Sequence, residues 1–425
     1  MLPTWLKRAI AVGGLLWALL GLPAMLGYFC AVLMTLTGET ASEAMSAGLV
    51  SLTAVLLTAG VGLVFAWHAG LSLQRKPSRP LRLPDAWLWT GMFALCIIGA
   101  GAVASANFAP GLFFPPLLLA AAASPPLLAM AWFSGGEAEG LTWRRGLTAL
   151  VAGATVSVFI ALLLEILFPV AVLALVAGLA DAVLPGVNAL LDALAGREVA
   201  SAVASPGFVF MFVQLAIVAP LAEEFAKPLV VLPLVGRLAR RDAFLVAAMA
   251  GVGFAALENV VYAGAGLSFW AGILVVRALG GAIHPLGAGL VGLGWRDVLR
   301  GEPQSGLKWA AHFGVAVALH ALWNGGSLLV IALTGAHFFG EMPPAIGILG
   351  LSAAGTTLAF LIVLGLFALW LGRFVAQRAS TEEPPGVESA RPQFVLSDRA
   401  VAIWALACLA AIVPAGITGL RLLMR

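Results

Sequence analysis

The sequence predicts an all-α, polytopic transmembrane helical bundle of about eleven spans. Three observations carry that prediction. Of 425 residues, 62% are hydrophobic and 10% are charged, against about 25% charged in an ordinary soluble domain. Apolar stretches of a length that crosses a bilayer, roughly 17–25 residues, recur from one end of the chain to the other. The basic residues collect in alternate polar breaks between those stretches.

In chain order the spans lie near 10–35, 47–70, 86–107, 112–133, 147–178, 207–235, 243–263, 268–293, 309–333, 346–372 and 401–420. The first follows "MLPTWLKRAIAVGG", the basic-then-apolar order of a signal peptide. Its apolar part runs well past the usual core of about 7–15 residues, so it reads as a retained span. With a cytoplasmic N-terminus, every one of the 23 Lys and Arg lies in an inside segment except Arg197, Arg421, Arg425, Lys227 and Arg277. The positive-inside rule selects that orientation over its reverse. Arginine in excess of lysine, with abundant Ala and Gly, suggests a GC-rich bacterial genome, and therefore a bacterial plasma membrane.

The spans divide into an N-terminal membrane region, 1–206, of about five spans; a middle region, 207–333, with four; and a C-terminal region, 334–425. In the last, the polar, Pro-containing linker "QRASTEEPPGVESARPQ", within 373–399, joins two spans. A net charge of +3 gives no reason to expect a nucleic-acid partner. Cys30, Cys96 and Cys408 all fall in apolar runs and read as small core residues. The pattern "GAGLVG", from Gly287, matches GxGxxG. A dinucleotide site needs a strand before it; inside a span, small residues that permit close helix contact are the better reading.

Four consecutive spans carry charges and imidazoles that a bilayer should exclude. "PLAEEFAKPLVV" holds Glu223, Glu224 and Lys227; "GFAALENVVY" holds Glu258 and Asn259; "VVRALGGAIHPLGAGL" holds Arg277 and His284; "AAHFGVAVALHALWNGG" holds His312, His320 and Asn324. One charge at the centre of a span costs about 2.5–3.5 kcal/mol on insertion scales, and each Leu or Val returns about 0.3–0.6. Such residues persist when they pair, bind an ion or face a wet cavity. Glu224, Glu258, His284 and His320 lie at similar depths, about 14–22 Å from the inside ends of their spans at 1.5 Å per residue. Within each helix Glu223 and Lys227, Arg277 and His284, and His320 and Asn324 share a face. Pro228 and Pro285 each free a carbonyl one turn back. Four helices are therefore expected to line one polar site.

At these residues the chain resembles the PrsW family of intramembrane proteases. The motifs are "EEFAK" (Glu223–Lys227), "FAALEN" (Phe254–Asn259), His284 in an Arg-initiated span, and "HALWN" (His320–Asn324). A paired-glutamate helix followed by a His-x-x-x-Asn helix is similar, more distantly, to the CAAX prenyl protease and bacteriocin-processing group. Glu258 stands where that group has histidine. The resemblance implies a membrane-embedded endopeptidase acting on membrane-anchored protein substrates, regulators such as anti-sigma factors among them.

Peptide hydrolysis needs an activated water, a proton acceptor and donors for the oxyanion. Two adjacent carboxylates in a low-dielectric site cannot both ionise cheaply, which suits such a pair to base and acid work. Glu223 is the expected base, with Glu224 orienting water or binding an ion. His320 and Asn324 are placed to stabilise the oxyanion. Alternatively His284, His320 and a carboxylate, Glu258 or Glu224, form a zinc site with water in the open position. The residues leave zinc and a metal-free glutamate mechanism both open. Arg277 is expected to pair with Glu258, and Glu165, alone in "ALLLEILFPV", to be a packing contact. His68 and His337 sit at span ends without partner motifs. Patterns for serine (GxSxG), aspartyl (GxGD) and HExxH sites are missing from the sequence. A competing class is an ion- or proton-coupled transporter, which inverted repeats would favour and none supports. A third is a non-catalytic sensor or scaffold.

Overall fold

The computed structural model describes residues 4–37, 40–135, 141–166, 168, 206–333, 348–382 and 403. Expectations for the span 401–420, Cys408, His337, the segment 169–205 and the linker beyond Glu382 fall outside the described residues. Within them the chain is helical, and nine helices are long and apolar enough to cross a membrane. They are α1 (Thr4–Thr35), α2 (Ala41–Leu73), α3 (Ala86–Ala106), α4 (Pro110–Ser134), α5 (Trp143–Ile166), α6 (Gly207–Leu229) and α7 (Arg240–Ala265), followed after one broken span by α10 (Ser305–Val330) and α11 (Ala354–Glu382). The broken span is the pair α8 (Trp270–Leu279) and α9 (Ile283–Arg300), bent by 41° between them. These ten match the first ten predicted spans. The eighth was expected as one helix, and the reason it breaks is local. Gly280 and Gly281 stop α8, and Pro285 falls in the first turn of α9, where its missing N–H leaves no helical bond unmade.

The helix α7 is the hub. In its apolar window 78% of residues are buried, against 11% in α3. It packs on α4, α5 and α9, and its small residues allow the approach. A Cβ at Gly253 would overlap the carbonyl of Leu150 on α5, and one at Gly153 the carbonyl of Ala250 on α7. The fifth span thus reaches the polar spans from the side: Ala161 clusters with Ala226 and Phe254, and Ser157 Oγ donates to the Lys227 carbonyl at 3.3 Å. Two π-turns, Gly153–Ser157 in α5 and Gln214–Val218 in α6, lie in the same neighbourhood. Such turns leave a carbonyl without its usual helical partner.

Segments predicted to share one side of the membrane do meet. The chain after α2 pairs with the start of α5 through Leu81 N–H to Leu141 O at 2.7 Å and Trp143 N–H to Arg79 O at 3.0 Å. Arg373 donates to the Trp132 and Phe133 carbonyls, and Arg241 to that of Ser134. Arg240 bridges Asp297 at 2.8 Å, Glu302 at 3.2 Å and Glu382 at 3.1 Å, while Arg296 holds Glu302 at 2.6 Å and Asp297 at 2.9 Å. Arg296 and Asp297 are buried rather than solvated. Counting basic residues assigns a side to a segment; it does not say whether the charges face water or one another. Cys96 is buried as expected, but Cys30 is exposed on the outer face of α1, a surface that lipid would cover.

Candidate active site

The polar residues of α6 to α10 converge. On α6, i and i+4 place Glu223 and Lys227 on one face, and Glu224 lies within the same turn. The Lys227 ammonium is 2.6 Å from Glu224 Oε1, 3.0 Å from Glu223 Oε2 and 2.7 Å from His284 Nδ1. Its fourth neighbour is the Phe254 ring of α7, whose centroid is 4.5 Å away, in cation–π geometry. Lys227 and Glu224 are fully buried and Glu223 nearly so. Lys227 therefore neutralises charge on both Glu223 and Glu224.

His284 is the second residue of α9, carried there by the break after α8. Its Nε2 lies 3.0 Å from Glu258 Oε2 on α7, and the Arg277 guanidinium of α8 holds the same carboxylate oxygen at 2.7 Å. Arg277 also donates to the side chain of Asn259, whose own amide donates to the Ala122 carbonyl of α4 at 2.9 Å. The expected pairing of Arg277 with Glu258 is present. A carboxylate accepts only, so the ring proton of His284 is on Nε2 and its Nδ1 presents a lone pair to the centre. His320 on α10 repeats the arrangement. Its Nδ1 faces Glu224 Oε1 at 2.9 Å, and its Nε2 is buried without a hydrogen-bond partner. The two imidazole rings are 4.6 Å apart, edge to face.

The centre of this arrangement is Glu223. Its Oε2 is 3.7 Å from His284 Nδ1 and 3.9 Å from His320 Nε2, and ligand atoms of Glu223, His284 and His320 all lie within 4.8 Å of one another. Among the described residues this is the one group able to hold a metal ion. The carboxylate in this group is Glu223, where the sequence offers Glu258 or Glu224; Glu258 lies on His284 Nε2 and Arg277, and Glu224 on His320 Nδ1. The donors fit a zinc ion. Two imidazoles and a carboxylate leaving a position for water is a known catalytic set, with metal–ligand bonds near 2.0–2.2 Å. Each imidazole has its other nitrogen on a carboxylate, the arrangement that fixes metal-binding histidines. Counted in their charged forms, Glu223, Glu224 and Glu258 outnumber Lys227 and Arg277 by one, so the buried centre carries an excess negative charge that a cation or a proton would offset.

Asn324 and Glu165 stand apart from that group. Asn324 shares its helix face with His320, but its Nδ2 donates to the Leu215 carbonyl at 2.8 Å, inside the π-turn of α6. That bond braces α6 against α10. Glu165, expected as a packing contact outside the site, is part-buried near the end of α5.

Gly287, the first residue of the GxGxxG pattern, has a clear purpose. A Cβ there would overlap the Glu224 carboxylate, and one at Gly292 would meet Ala247 of α7. The small residues serve close contact, as predicted. Gly287→Ala is expected to displace Glu224 Oε2 and lower peptide cleavage by at least about tenfold, since a shift on the order of 1 Å at a catalytic group can cost up to about a hundredfold. Comparing cleavage rates at matched folded fraction checks it.

Comparison with known proteins bears on this site. Residues 142–349 match the family described as PrsW family intramembrane metalloprotease, a match that covers just under half of the chain and contains every residue of the cluster. Searches of curated proteins and of solved structures returned no match.

Proposed function

We propose that this chain, PrsW-like over residues 142–349, is a membrane-embedded endopeptidase that hydrolyses a peptide bond in or near a membrane-anchored protein. A regulator such as an anti-sigma factor is the substrate class that the family resemblance implies. The observation that carries the reading is the convergence of two imidazole lone pairs on Glu223, each imidazole held from behind by a different carboxylate. A helix-locking ion pair needs no such arrangement. A proton relay in a transporter would use titrating groups in series and gains nothing from two histidines fixed in one tautomer.

In this reading Glu223, His284 and His320 would hold zinc, while Glu258 and Glu224 orient the rings. Zinc held there would supply Lewis-acid polarisation of the scissile carbonyl and a more acidic water. Glu224 Oε2, buried and without a hydrogen-bond partner, takes the proton from the attacking water and returns it to the leaving amine. Lys227 pairs with Glu224 and lies next to the developing oxyanion, where a fixed positive charge is most effective in a water-poor site. Arg277 and Asn259 act through Glu258 and are positioning residues.

One observation favours a metal-free variant: the Lys227 ammonium already occupies hydrogen-bonding distance of His284 Nδ1 and Glu223. In that variant Glu223 is the base, Glu224 shares the proton, and Lys227 with His320 stabilises the oxyanion. Both variants require Glu223.

Reconstituted protein, incubated in liposomes with a single-span model substrate and an internal pH-sensitive dye, separates the classes. The expected result is two peptide products by mass spectrometry with no proton flux above empty liposomes. Proton flux without cleavage would overturn the reading in favour of transport.

A further inference from the structure

A second built site lies away from the catalytic cluster, at the membrane edge between α1, α2 and the start of α5. It is a cavity of about 1140 Å³. Its mouth is basic: Lys76 and Arg79 on the segment after α2, and Arg144 in the first turn of α5, line it together with His68. Its shaft is apolar. Leu71, Trp67 and Leu63 run inward along one face of α2, one turn apart, opposite Leu15 of α1. Leu15, Leu63 and Trp67 are all more than half exposed, so the shaft opens sideways to the bilayer.

The mouth contains polar atoms that the protein does not satisfy. Arg144 is anchored along one edge, its Nη2 donating to the Lys76 carbonyl at 3.2 Å and its backbone N–H to Ser78 Oγ at 3.0 Å. Its Nε is buried with no partner, and so is His68 Nδ1. An unpaired buried guanidinium donor is costly, and a guanidinium edge matches phosphate oxygens in geometry and charge. Acidic side chains do not line the cavity to answer its basic residues.

We propose that this cavity is a binding site for an anionic phospholipid. The phosphate and headgroup sit among Lys76, Arg79, Arg144 and His68, and an acyl chain lies along Leu71, Trp67 and Leu63. Two features of different kind agree on that occupant. A basic pocket at headgroup height between transmembrane helices selects an anionic headgroup, and an apolar shaft continuous with the lipid has no use for a soluble anion. Trp143, beside Arg144 at the mouth, is the residue type that favours this depth. The site stands independently of the protease reading.

The test is native mass spectrometry of the full chain, delipidated in detergent and given equal amounts of phosphatidylglycerol and phosphatidylcholine with matched acyl chains. Phosphatidylglycerol is expected to be retained in preference. Each of Lys76→Gln, Arg79→Gln and Arg144→Gln should weaken that retention about fivefold, and the three together on the order of a hundredfold, at roughly 1 kcal/mol per basic residue near the headgroups. Phosphatidylcholine retention should not change. Because Arg144 also makes backbone bonds, the double variant Lys76→Gln, Arg79→Gln, on exposed residues, decides the question if the triple variant does not fold. Arg8→Gln, a basic residue near the same membrane edge that does not line the cavity, should leave retention unchanged. Equal retention of the two lipids, an unaltered response in the double variant, or an equal loss in Arg8→Gln would each overturn the proposal. So would displacement of the lipid by water-soluble glycerophosphoglycerol at comparable concentration, which would mark a free-anion site, or by an acidic peptide, which would mark a protein-docking site.

Discussion

Glu223→Gln is expected to reduce cleavage of a single-span substrate by about a thousandfold or more, within or beyond the range of about 10²–10⁴ attributable to one acid–base group. Glutamine keeps the volume and polarity of the buried side chain but cannot accept a proton or bind a cation as a carboxylate does. In the metal reading the substitution removes the one anionic ligand of the group; in the metal-free variant it removes the base. The fold should survive, because Lys227 retains Glu224 at 2.6 Å and the excess negative charge of the centre disappears. The check is a cleavage rate measured beside a thermal midpoint in the same detergent. Unchanged cleavage at an unchanged midpoint would remove Glu223 from the chemistry.

The second large effect concerns the imidazoles. Purified protein is expected to hold about one zinc per chain, and His284→Ala or His320→Ala to lower that content at least tenfold, each removing one of three protein ligands. Glu258→Gln, which touches His284 and Arg277 but is not in the ligand group, should weaken zinc binding about 10–100-fold, the usual cost of losing the group behind a histidine ligand. Chelation should stop cleavage and added zinc restore it. Full activity with sub-stoichiometric metal after dialysis against chelator would decide for the metal-free glutamate mechanism.

Much of this site is legible in the chain because its signals are one-dimensional. Charges inside apolar runs, read at 3.6 residues per turn, put Glu223 and Lys227, and likewise His320 and Asn324, on shared faces, and the structure keeps both pairings. Depth along each span puts Glu224, Glu258, His284 and His320 in one layer, where they are found. Which helices are neighbours is a different kind of information. Helical spacing shows that Glu258 faces inward; it does not show that Arg277 and His284 Nε2 are nearer to it than the two imidazole lone pairs are. That Glu223 and not Glu258 lies nearest both imidazole nitrogens therefore has to come from three dimensions. The contact that Asn324 makes is hidden in the sequence for a related reason. The carbonyl that captures it belongs to a π-turn at Gln214–Val218, and nothing in "QLAIV" announces an extra residue in the turn. The break between α8 and α9 is half visible: in sequence Pro285 reads as freeing a carbonyl, whereas its position in a first turn shows it starting a helix. Buried Arg296 and Asp297 look, in sequence, like ordinary charges of an inside segment.

X-ray absorption spectroscopy at the zinc edge, on the loaded protein in lipid, tests the central claim most directly. Two imidazole nitrogens and light oxygen donors near 2.0–2.2 Å, with one imidazole lost in His284→Ala and one in His320→Ala, is the result expected if α6, α9 and α10 deliver their side chains to one buried centre. A zinc environment without imidazole scattering, or one unaltered by either substitution, would contradict it.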